Sequence, residues 1–320
     1  MIPTLEDYML REREISVVKI VSDQKEISVS EIGQRLGSTE GWASQIVKSL
    51  EKRGFVITSR KGMRKTVRIS ESNFAQSLSD LLTVESSVAW EKLLSNKGIP
   101  VILEDMTGER GFTSELNRST VWRTKRNLLM HGITLKESDG KSASDARLFR
   151  FVDEYADHVG KRFIEKNIPS DAVILWRKRS ECIFKINHGQ AEALEAESQN
   201  IHLTALSAFP NYGIPFLTTE TFYYFSPTKS KLTQTDVVLH TLLIDPNNRT
   251  NTSYAVLFVF KRYRNISLKH LIEGSRKYGL ESRIEELVRY IRSSGRNHSS
   301  ILPRWNYLKE LAGLYGIDMR

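Results

Sequence analysis

The residues of this chain that are best suited to chemistry are a dense group of basic side chains between positions 48 and 68. Eight of them stand in this stretch against one acid, Glu51, and eight positive charges less one negative charge give a local charge of +7. A field of that density fits the phosphate backbone of a nucleic acid. The eight are Lys48, Lys52, Arg53, Arg60, Lys61, Arg64, Lys65 and Arg68.

A short helix is predicted just before this basic stretch, over Val29 to Leu36. Ser28 and Glu31 have the spacing of a capping box, in which each residue binds the backbone N–H of the other. Gly37 suits the left-handed conformation that ends such a helix. The helix is therefore followed by a tight turn.

A second predicted helix begins at Ser38 or Thr39, either of which can serve as its N-cap, and runs to about Arg53. Gly54 ends this helix. After Gly54 the apolar residues alternate, which predicts a β-hairpin with a basic tip. The predicted strands are 55–58 and 65–69, and the predicted tip is 61–64.

Helix, turn, helix and hairpin together predict a winged helix-turn-helix, with the second helix as recognition helix and the hairpin as wing. Gln45 and Lys48 would reach into the major groove of DNA. The wing residues Lys61, Arg64 and Lys65 would grip phosphate or the minor groove. The predicted core face of the helix holds Ala43, Ile46, Val47 and Leu50, and the opposite face holds Gly41, Gln45, Lys48 and Lys52.

The string SQIVKSLEKRGFV, from Ser44 to Val56, resembles the recognition helix and wing entry of MarR-type and related prokaryotic regulators. Those families keep a Ser, an Ile-Val pair, a Leu-Glu pair, and then Gly followed by an apolar pair. The resemblance implies a winged-helix head that binds DNA. Winged helices also serve as protein-interaction modules, and that alternative stays open, although the basic wing argues against it.

Composition limits the class of protein. The chain has 320 residues, 40% of them hydrophobic and 27% charged, which predicts two or three folded domains. Its net charge of +9 favours a polyanionic partner. A single cysteine, Cys182, allows no disulfide framework and indicates a reducing compartment. The sequence has no apolar signal core and no stretch long enough to cross a bilayer, so we expect a cytoplasmic protein without a membrane partner.

The predicted fold class is mainly α with small β elements (α+β), in three domains. Residues 1–71 form the winged helix-turn-helix, beginning with one helix over Leu5 to Ser22. Residues 72–154 form a linker helix and a second winged helix. Residues 155–320 form an α+β and then helical domain that binds a partner or effector. The linker helix, which can break near Ser86, serves either as a connection or as a dimer helix, and a homodimer is expected because paired half-sites suit winged-helix proteins.

The second winged helix is predicted from an internal repeat. Matching Gly132 to Gly54 lays Ser119 to Ile133 over the first recognition helix, and the arms of a second hairpin fall at Ile133 to Lys136 and Arg147 to Val152. This copy either binds DNA less tightly or only packs. The DNA-binding residues predicted in the two units are Ser38, Thr39, Gln45, Lys48, Lys52, Arg60, Lys61, Arg64, Lys65, Arg118, Arg123 and Arg126.

In the C-terminal part, DAVILW and CIFKI predict a hairpin, Gln190 to Gln199 predicts a helix, and the apolar run Tyr254 to Phe260 fits a buried helix better than a strand, because helices surround it. The passages LTALSAFPNYGIP, LTQTDVVLHTLLID and SRKYGLESRIEELVRYI resemble the C-terminal part of AbiEi-family antitoxins and related archaeal and bacterial winged-helix regulators. This resemblance implies autoregulation of an operon and a neighbouring nucleotidyltransferase-type toxin.

No catalytic, cofactor or metal site is predicted. The chain lacks a P-loop, a GxGxxG motif and a nucleotidyltransferase signature, and its seven histidines show no ligand spacing. His240, on an apolar helix, is interpreted as a hydrogen-bonded core histidine. The favoured function is a sequence-specific double-stranded DNA-binding transcriptional regulator. Two alternatives remain, an antitoxin-like scaffold that neutralises a partner protein and a degenerate nucleotide-transferring enzyme.

Overall fold

The computed structural model describes residues 3–62, 64–85, 87–108, 112–133, 143–187, 200–296 and 301–319. The chain divides into two compact units, an N-terminal unit over Pro3–Arg162 and a C-terminal unit over Phe163–Arg320. None of the described helices is long and apolar enough to span a membrane.

The N-terminal unit begins with two helices where one was predicted, so the single helix over Leu5 to Ser22 is wrong. The backbone is extended at Met9 and Arg11, and a new helix begins because the Glu14 carboxylate accepts a hydrogen bond from the Arg11 N–H at 2.8 Å. The elements up to the recognition helix are α1 (Leu5–Tyr8), α2 (Glu12–Ser22), β1 (Ile27–Ser28), α3 (Val29–Arg35) and α4 (Glu40–Lys52).

The predicted helix-turn-helix is confirmed. The Ser28 Oγ accepts from the Glu31 N–H at 3.2 Å, and the Glu31 carboxylate accepts from the Ser28 N–H at 3.0 Å, as a capping box requires. Gly37 and Gly54 end the two helices with φ of +62° and +83°. A side chain at Gly54 would also meet the Phe74 ring 3.3 Å away, so glycine suits both the backbone and the packing there.

The wing consists of β2 (Val56–Lys61) and β3 (Arg64–Ile69), paired antiparallel from Val56 opposite Ile69 to Lys61 opposite Arg64. The short strand β1 pairs with β3 and completes a three-stranded sheet in the order β1-β3-β2. Hairpin and recognition helix therefore occur as the sequence predicts.

The rest of this unit is helical. The predicted break near Ser86 is confirmed, since one helix ends at Val84 and the next begins at Trp90. One hydrophobic core runs from Tyr8 to Val159, and it includes residues of the head and of the later helices together. The helices are α5 (Asn73–Val84), α6 (Trp90–Leu94), α7 (Gly98–Thr107), α8 (Arg118–Met130) and α9 (Ala143–Asn167).

The prediction of a second wing is wrong. Its second arm, Arg147 to Val152, lies inside the helix α9, while residues 134–142 fall outside the described residues. The buried side chains of α9 continue at helical spacing beyond the assumed strand, through Leu148, Val152, Tyr155 and Val159. The six residues Arg147 to Val152 taken alone are compatible with a strand, but the longer run has the period of a helix. The described residues between α8 and the end of α9 therefore hold no second wing.

The C-terminal unit contains a four-stranded antiparallel sheet in the order β4-β5-β7-β6. The predicted hairpin is confirmed as β4 and β5, and the helix predicted over 190–199 lies outside the described residues. One face of the sheet carries Phe184 and Tyr223, which pack with Ile164. The strands are β4 (Val173–Lys178), β5 (Glu181–Asn187), β6 (Ile201–Leu203) and β7 (Glu220–Phe225).

Helices build the remainder of the unit. The apolar run Tyr254 to Phe260 lies inside a helix, as predicted, and Val256 to Val259 are fully buried there. A 3₁₀ helix over Ala205–Tyr212 precedes β7. The others are α10 (Gln234–Ile244), α11 (Arg249–Lys261), α12 (Leu268–Ser275), α13 (Glu281–Arg292) and α14 (Trp305–Leu314).

Candidate nucleic-acid interface

The recognition helix α4 has a buried face and a solvent face. Its inner face is inaccessible at Ala43, Val47 and Leu50, which belong to the hydrophobic core. The predicted DNA-contacting residues Gln45, Lys48 and Lys52 are all exposed. Because the inner face is held by the core, the outer face is free to enter a groove of DNA.

The residues predicted at the start of this helix serve the turn. The Thr39 Oγ1 accepts a hydrogen bond from the Trp42 N–H at 3.3 Å and so caps α4. The Ser38 N–H donates to the Gly33 carbonyl at 2.9 Å, and Ser38 is half-buried. Thr39 is exposed, so its side chain lies at the surface while it caps the helix.

An exposed aromatic residue on the recognition helix was not among the predicted contacts. Trp42 is 37% exposed, and the Arg13 guanidinium carbon lies 5.7 Å from its ring centroid. A helical wheel does place Trp42 away from the apolar stripe, so its position relative to Val47 could have indicated this exposure. A large flat side chain at this point can pack against a base methyl group or a sugar.

The basic residues of the wing differ in whether an acidic side chain pairs with them. Arg60 and Arg64 are exposed and form no ion pair with another described residue. Lys61 ends β2, and its side chain lies outside what the structure describes. Lys65 lies 3.8 Å from a carboxylate oxygen of Glu51. Arg68 bonds the exposed Glu71 at 3.0 Å, so part of the predicted positive field is balanced locally.

The single acid of this stretch, Glu51, has a structural role. Its carboxylate accepts hydrogen bonds from the Thr58 backbone N–H at 3.3 Å and from the Thr58 hydroxyl. With Lys65 on the neighbouring strand, these contacts join the last turn of α4 to both strands of the wing. The geometry between recognition helix and wing is therefore held by Glu51.

Arg53 belongs to a buried network and is withdrawn from solvent. Its guanidinium bonds Glu14 at 3.4 Å and also donates to the Tyr155 hydroxyl, while Ser49 donates to Glu14 at 2.7 Å. Burial raises the pKa of Tyr155, and its hydroxyl donates to the Asp7 carbonyl at 3.1 Å. These contacts anchor the end of the recognition helix to α2 and α9.

The basic residues predicted on the later helix are also at the surface. Arg118, Arg123 and Arg126 are exposed on α8, where only Leu128 is buried, and no acid occurs from Arg118 to Met130. The Arg126 guanidinium carbon lies 5.2 Å from the ring centroid of the exposed Trp122. The helix therefore presents positive charge without the wing that was expected to follow it.

In the C-terminal unit, His240 is the hydrogen-bonded core histidine that was predicted. It is inaccessible to solvent, with Thr204 2.7 Å from Nδ1 and the Tyr278 hydroxyl 2.8 Å from Nε2. Burial lowers the pKa of His240 to about 3. Asp236, one turn earlier, accepts from Lys229 at 2.6 Å and closes a capping box with Thr233. Within the described residues no group of His, Cys, Asp and Glu side chains is arranged to hold a metal ion.

Two families match separate parts of the chain. Residues 10–61 match the MarR family, over α2, β1, α3, α4 and β2. This head is similar to MarR family domains. MarR proteins are regulators, so the match supports a DNA-binding transcriptional regulator. Residues 198–317 match a family described as HVO_2833_C, C-terminal, so the AbiEi likeness stays a prediction. No curated protein and no solved structure matches the chain.

Proposed function

We propose that this chain is a sequence-specific double-stranded DNA-binding transcriptional regulator that acts through its MarR family head. The observation that carries the proposal is the exposure of Lys48 and Lys52 on α4, together with Gln45, and of Arg60 and Arg64 on the wing. These four cations are exposed and lack an ion-pair partner among the described residues. Cations placed in this way can each replace a counterion on a phosphate.

In the proposed complex α4 lies in the major groove. The Gln45 amide can bond an adenine edge through both its donor and its acceptor, and the Lys48 ammonium can donate to guanine. The wing residues Arg60 and Arg64 contact phosphate or the minor groove, together with Lys61. Lys65 can exchange its carboxylate partner for a phosphate, because an exposed ion pair contributes little free energy.

Three further features belong to the proposal. Arg118, Arg123 and Arg126 on α8 add contacts to the DNA backbone. The chain acts as a homodimer on paired half-sites and represses its own operon. The C-terminal unit binds an effector or a partner protein.

The test is a fluorescence-anisotropy titration with DNA from upstream of its own gene and with a scrambled duplex, over a series of salt concentrations. We expect tighter binding to the upstream DNA, and this preference should persist at higher salt. Equal and steeply salt-dependent binding to both duplexes would leave only non-specific attraction between a basic protein and DNA.

Two variants make this test specific to the wing. Replacing Arg60 and Arg64 by Ala should weaken binding to every sequence and lower the slope of log affinity against log salt by roughly 2, since each phosphate contact contributes about 0.9. The control replaces the exposed Arg264 and Arg296 of the C-terminal unit, which removes the same charge elsewhere. If both double variants change the slope equally, the wing is not the contact surface.

The recognition helix is tested by a change of sequence preference. Gln45→Ala should alter which bases are preferred at one position of the site and leave the salt slope unchanged, because the amide carries no charge. Selection from a randomised duplex library with the parent chain and the variant measures this. An identical preferred sequence for both proteins would remove Gln45 from the base-reading role.

A further inference from the structure

The outer strand of the C-terminal sheet exposes three consecutive apolar side chains. Val173, Ile174 and Leu175 are 52%, 39% and 37% exposed. They lie on β4, which stands at one edge of the sheet and pairs only with β5 among the described strands. Natural edge strands usually carry charges or proline because an open apolar edge attracts another strand. At its centre β4 has neither.

Only some of the apolar side chains of β4 pack into the interior of the unit. Trp176, the next residue, packs against Tyr278 with the ring centroids 4.9 Å apart, and it belongs to the helical side of the unit. Val173 and Leu175 have no comparable cover, since more than a third of each remains accessible. The exposed patch is therefore the part of β4 that the rest of the unit does not cover.

The charges at the two ends of this patch complement one another. Asp171 stands before the strand and Lys178 is its last residue, and both are exposed. The midpoint between them falls between Ile174 and Leu175, inside the apolar patch. A two-fold axis at that point sets each Asp171 beside Lys178 of a second copy, whereas a parallel arrangement sets like charges together. Facing strands favour opposite charges and disfavour like ones.

We infer that β4 is a self-association surface of this chain and that its occupant is β4 of a second copy, running antiparallel. The inference rests on the homodimer proposed above and gives that homodimer a surface, but it does not depend on DNA binding. In this register Ile174 of each copy faces Leu175 of the other beside the axis. Val173 lies one step farther out, and an Asp171–Lys178 pair closes each end.

The local backbone sets the strength of this contact. The pairing of β4 with β5 shifts register between Ile174 and Trp176, so Leu175 forms a bulge. A bulge interrupts a regular ladder, which makes side-chain packing and the two charge pairs the main contributions. A contact of one strand is smaller than the roughly 800 Å² per partner of stable complexes. The association is therefore weak and depends on concentration.

The first test is analytical ultracentrifugation of the full chain without DNA over a wide range of concentrations. The parent should associate as the concentration rises, and Asp171→Lys or Lys178→Asp alone should weaken the association by roughly 5-fold or more, because each creates two like-charge contacts. The double variant should recover parental association. The control Lys231→Asp reverses an exposed charge elsewhere in the unit and should change nothing. A double variant that associates no better than the single variants would overturn the inference.

The second test is independent of any other dimer contact in the chain. Leu175→Cys lies next to the proposed axis, where facing Cα atoms are about 4.5–5.5 Å apart. The two copies of this position are one residue step from facing each other, which keeps them close enough for a disulfide after a small adjustment. Under mild oxidation Leu175→Cys should form a cross-linked dimer much faster than Leu217→Cys, a residue that is 99% exposed. The native Cys182 is buried and serves as the shared background. Equal rates for both variants would overturn the inference, and DNA titrations of the same proteins would show separately whether the regulator proposal stands.

Discussion

The Glu51 carboxylate binds Thr58 twice, through its backbone N–H and through its hydroxyl, and so joins the recognition helix to the wing. A negative charge in a DNA-binding surface repels phosphate unless it is used within the protein. Here the acid also lies 3.8 Å from Lys65, so its charge is turned toward the wing. The position of the wing depends on an acid within an otherwise basic surface.

The contact between Glu51 and Thr58 predicts that removing this acid weakens DNA binding, although the loss of a negative charge alone would strengthen it. Glu51→Ala removes a negative charge but frees the wing, so affinity for DNA should fall by roughly 2- to 12-fold, the range expected for the loss of about 0.5–1.5 kcal/mol. Glu71→Ala is the control, because Glu71 is exposed and bonds only Arg68 among the described residues. Its removal should leave affinity unchanged or raise it slightly. Anisotropy titrations at one salt concentration measure both, and tighter binding by Glu51→Ala would contradict the structural role.

A second prediction separates two basic residues that the sequence alone treats alike. Arg53→Gln should lower the stability of the N-terminal unit by about 3 kcal/mol or more, because it leaves the buried Glu14 without its cation. It should leave the salt dependence of DNA binding unchanged, since its guanidinium lies within the network. Lys48→Gln should do the reverse, lowering the salt slope by about 0.9 with little effect on stability.

The measurements for this pair are thermal unfolding and anisotropy over a salt series, applied to both variants at temperatures where both are folded. Arg53→Gln should change the melting temperature and leave the salt slope as it is, whereas Lys48→Gln should change the salt slope and leave the melting temperature nearly as it is. A reduced salt slope for Arg53→Gln would show that this guanidinium reaches the phosphates.

The contrast between Arg53 and Lys48 also shows what the sequence could predict. Caps, glycines and helical spacing depend on neighbours a few residues apart, so Ser28, Glu31, Gly37 and Gly54 were enough to predict the helix-turn-helix. Whether a cation is available to bind DNA depends on contacts with residues that are distant in the sequence. The partner of Arg53 is Tyr155, one hundred and two positions later, and no local pattern contains it.

The errors in the fold prediction have a similar cause. A short apolar run is compatible with strand and helix, and the internal repeat predicts a strand over Arg147 to Val152. The helix is decided by the apolar residues that follow, up to Val159, which pack into the core of the unit. The break between α1 and α2 depends on the Glu14 carboxylate capping the Arg11 N–H, a contact that a helical pattern hides.

A third prediction concerns Gly41 on the recognition helix. A Cβ built at Gly41 would meet no atom within 4 Å, and its φ is not positive, so the fold does not require glycine there. Glycine in a helix costs up to about 1 kcal/mol relative to alanine. Gly41 lies on the solvent face one turn before Gln45, where only a close approach of the DNA would favour the missing side chain.

Gly41→Ala should therefore raise or maintain the melting temperature and yet weaken DNA binding several-fold. Gly313→Ala is a matched control, because Gly313 is also exposed, lies in the helix α14 and has open space around it. It should be equally harmless to stability and leave DNA binding unchanged. Unfolding curves and anisotropy titrations of the two variants make the comparison. Parental affinity for Gly41→Ala would mean that the DNA does not approach this turn.

The last prediction concerns the buried His240 and the dependence of stability on pH. Its two ring nitrogens bond Thr204 and Tyr278, and a neutral imidazole satisfies both because it offers one donor and one acceptor. Burial lowers the pKa of His240 to about 3; nearby Lys229 and Lys277 also lower it, while Asp236 acts in the opposite direction. In the unfolded chain the same group has an ordinary pKa of about 6.5.

Stability falls with decreasing pH because the unfolded state binds the proton more readily than the folded state. Between pH 6.5 and pH 3 the unfolded chain protonates this histidine and the folded chain does not, so acid favours unfolding. The contribution is fully present above pH 6.5 and is lost as the pH falls, by about 3 kcal/mol between pH 7 and pH 4. His240→Gln lacks this titration, although it loses packing and hydrogen bonds at every pH.

The measurement is urea denaturation of the parent and of His240→Gln at several pH values from 7.5 to 4. The parent should be the more stable protein at pH 7.5, and the difference should shrink steadily as the pH falls, because only the parent has an unfolded state that gains this proton. His270→Gln, which replaces an exposed histidine of the same unit, is the matched control, and its effect on stability should be small. A constant gap for His240→Gln from pH 7.5 to pH 4 would mean that this histidine is protonated equally in both states.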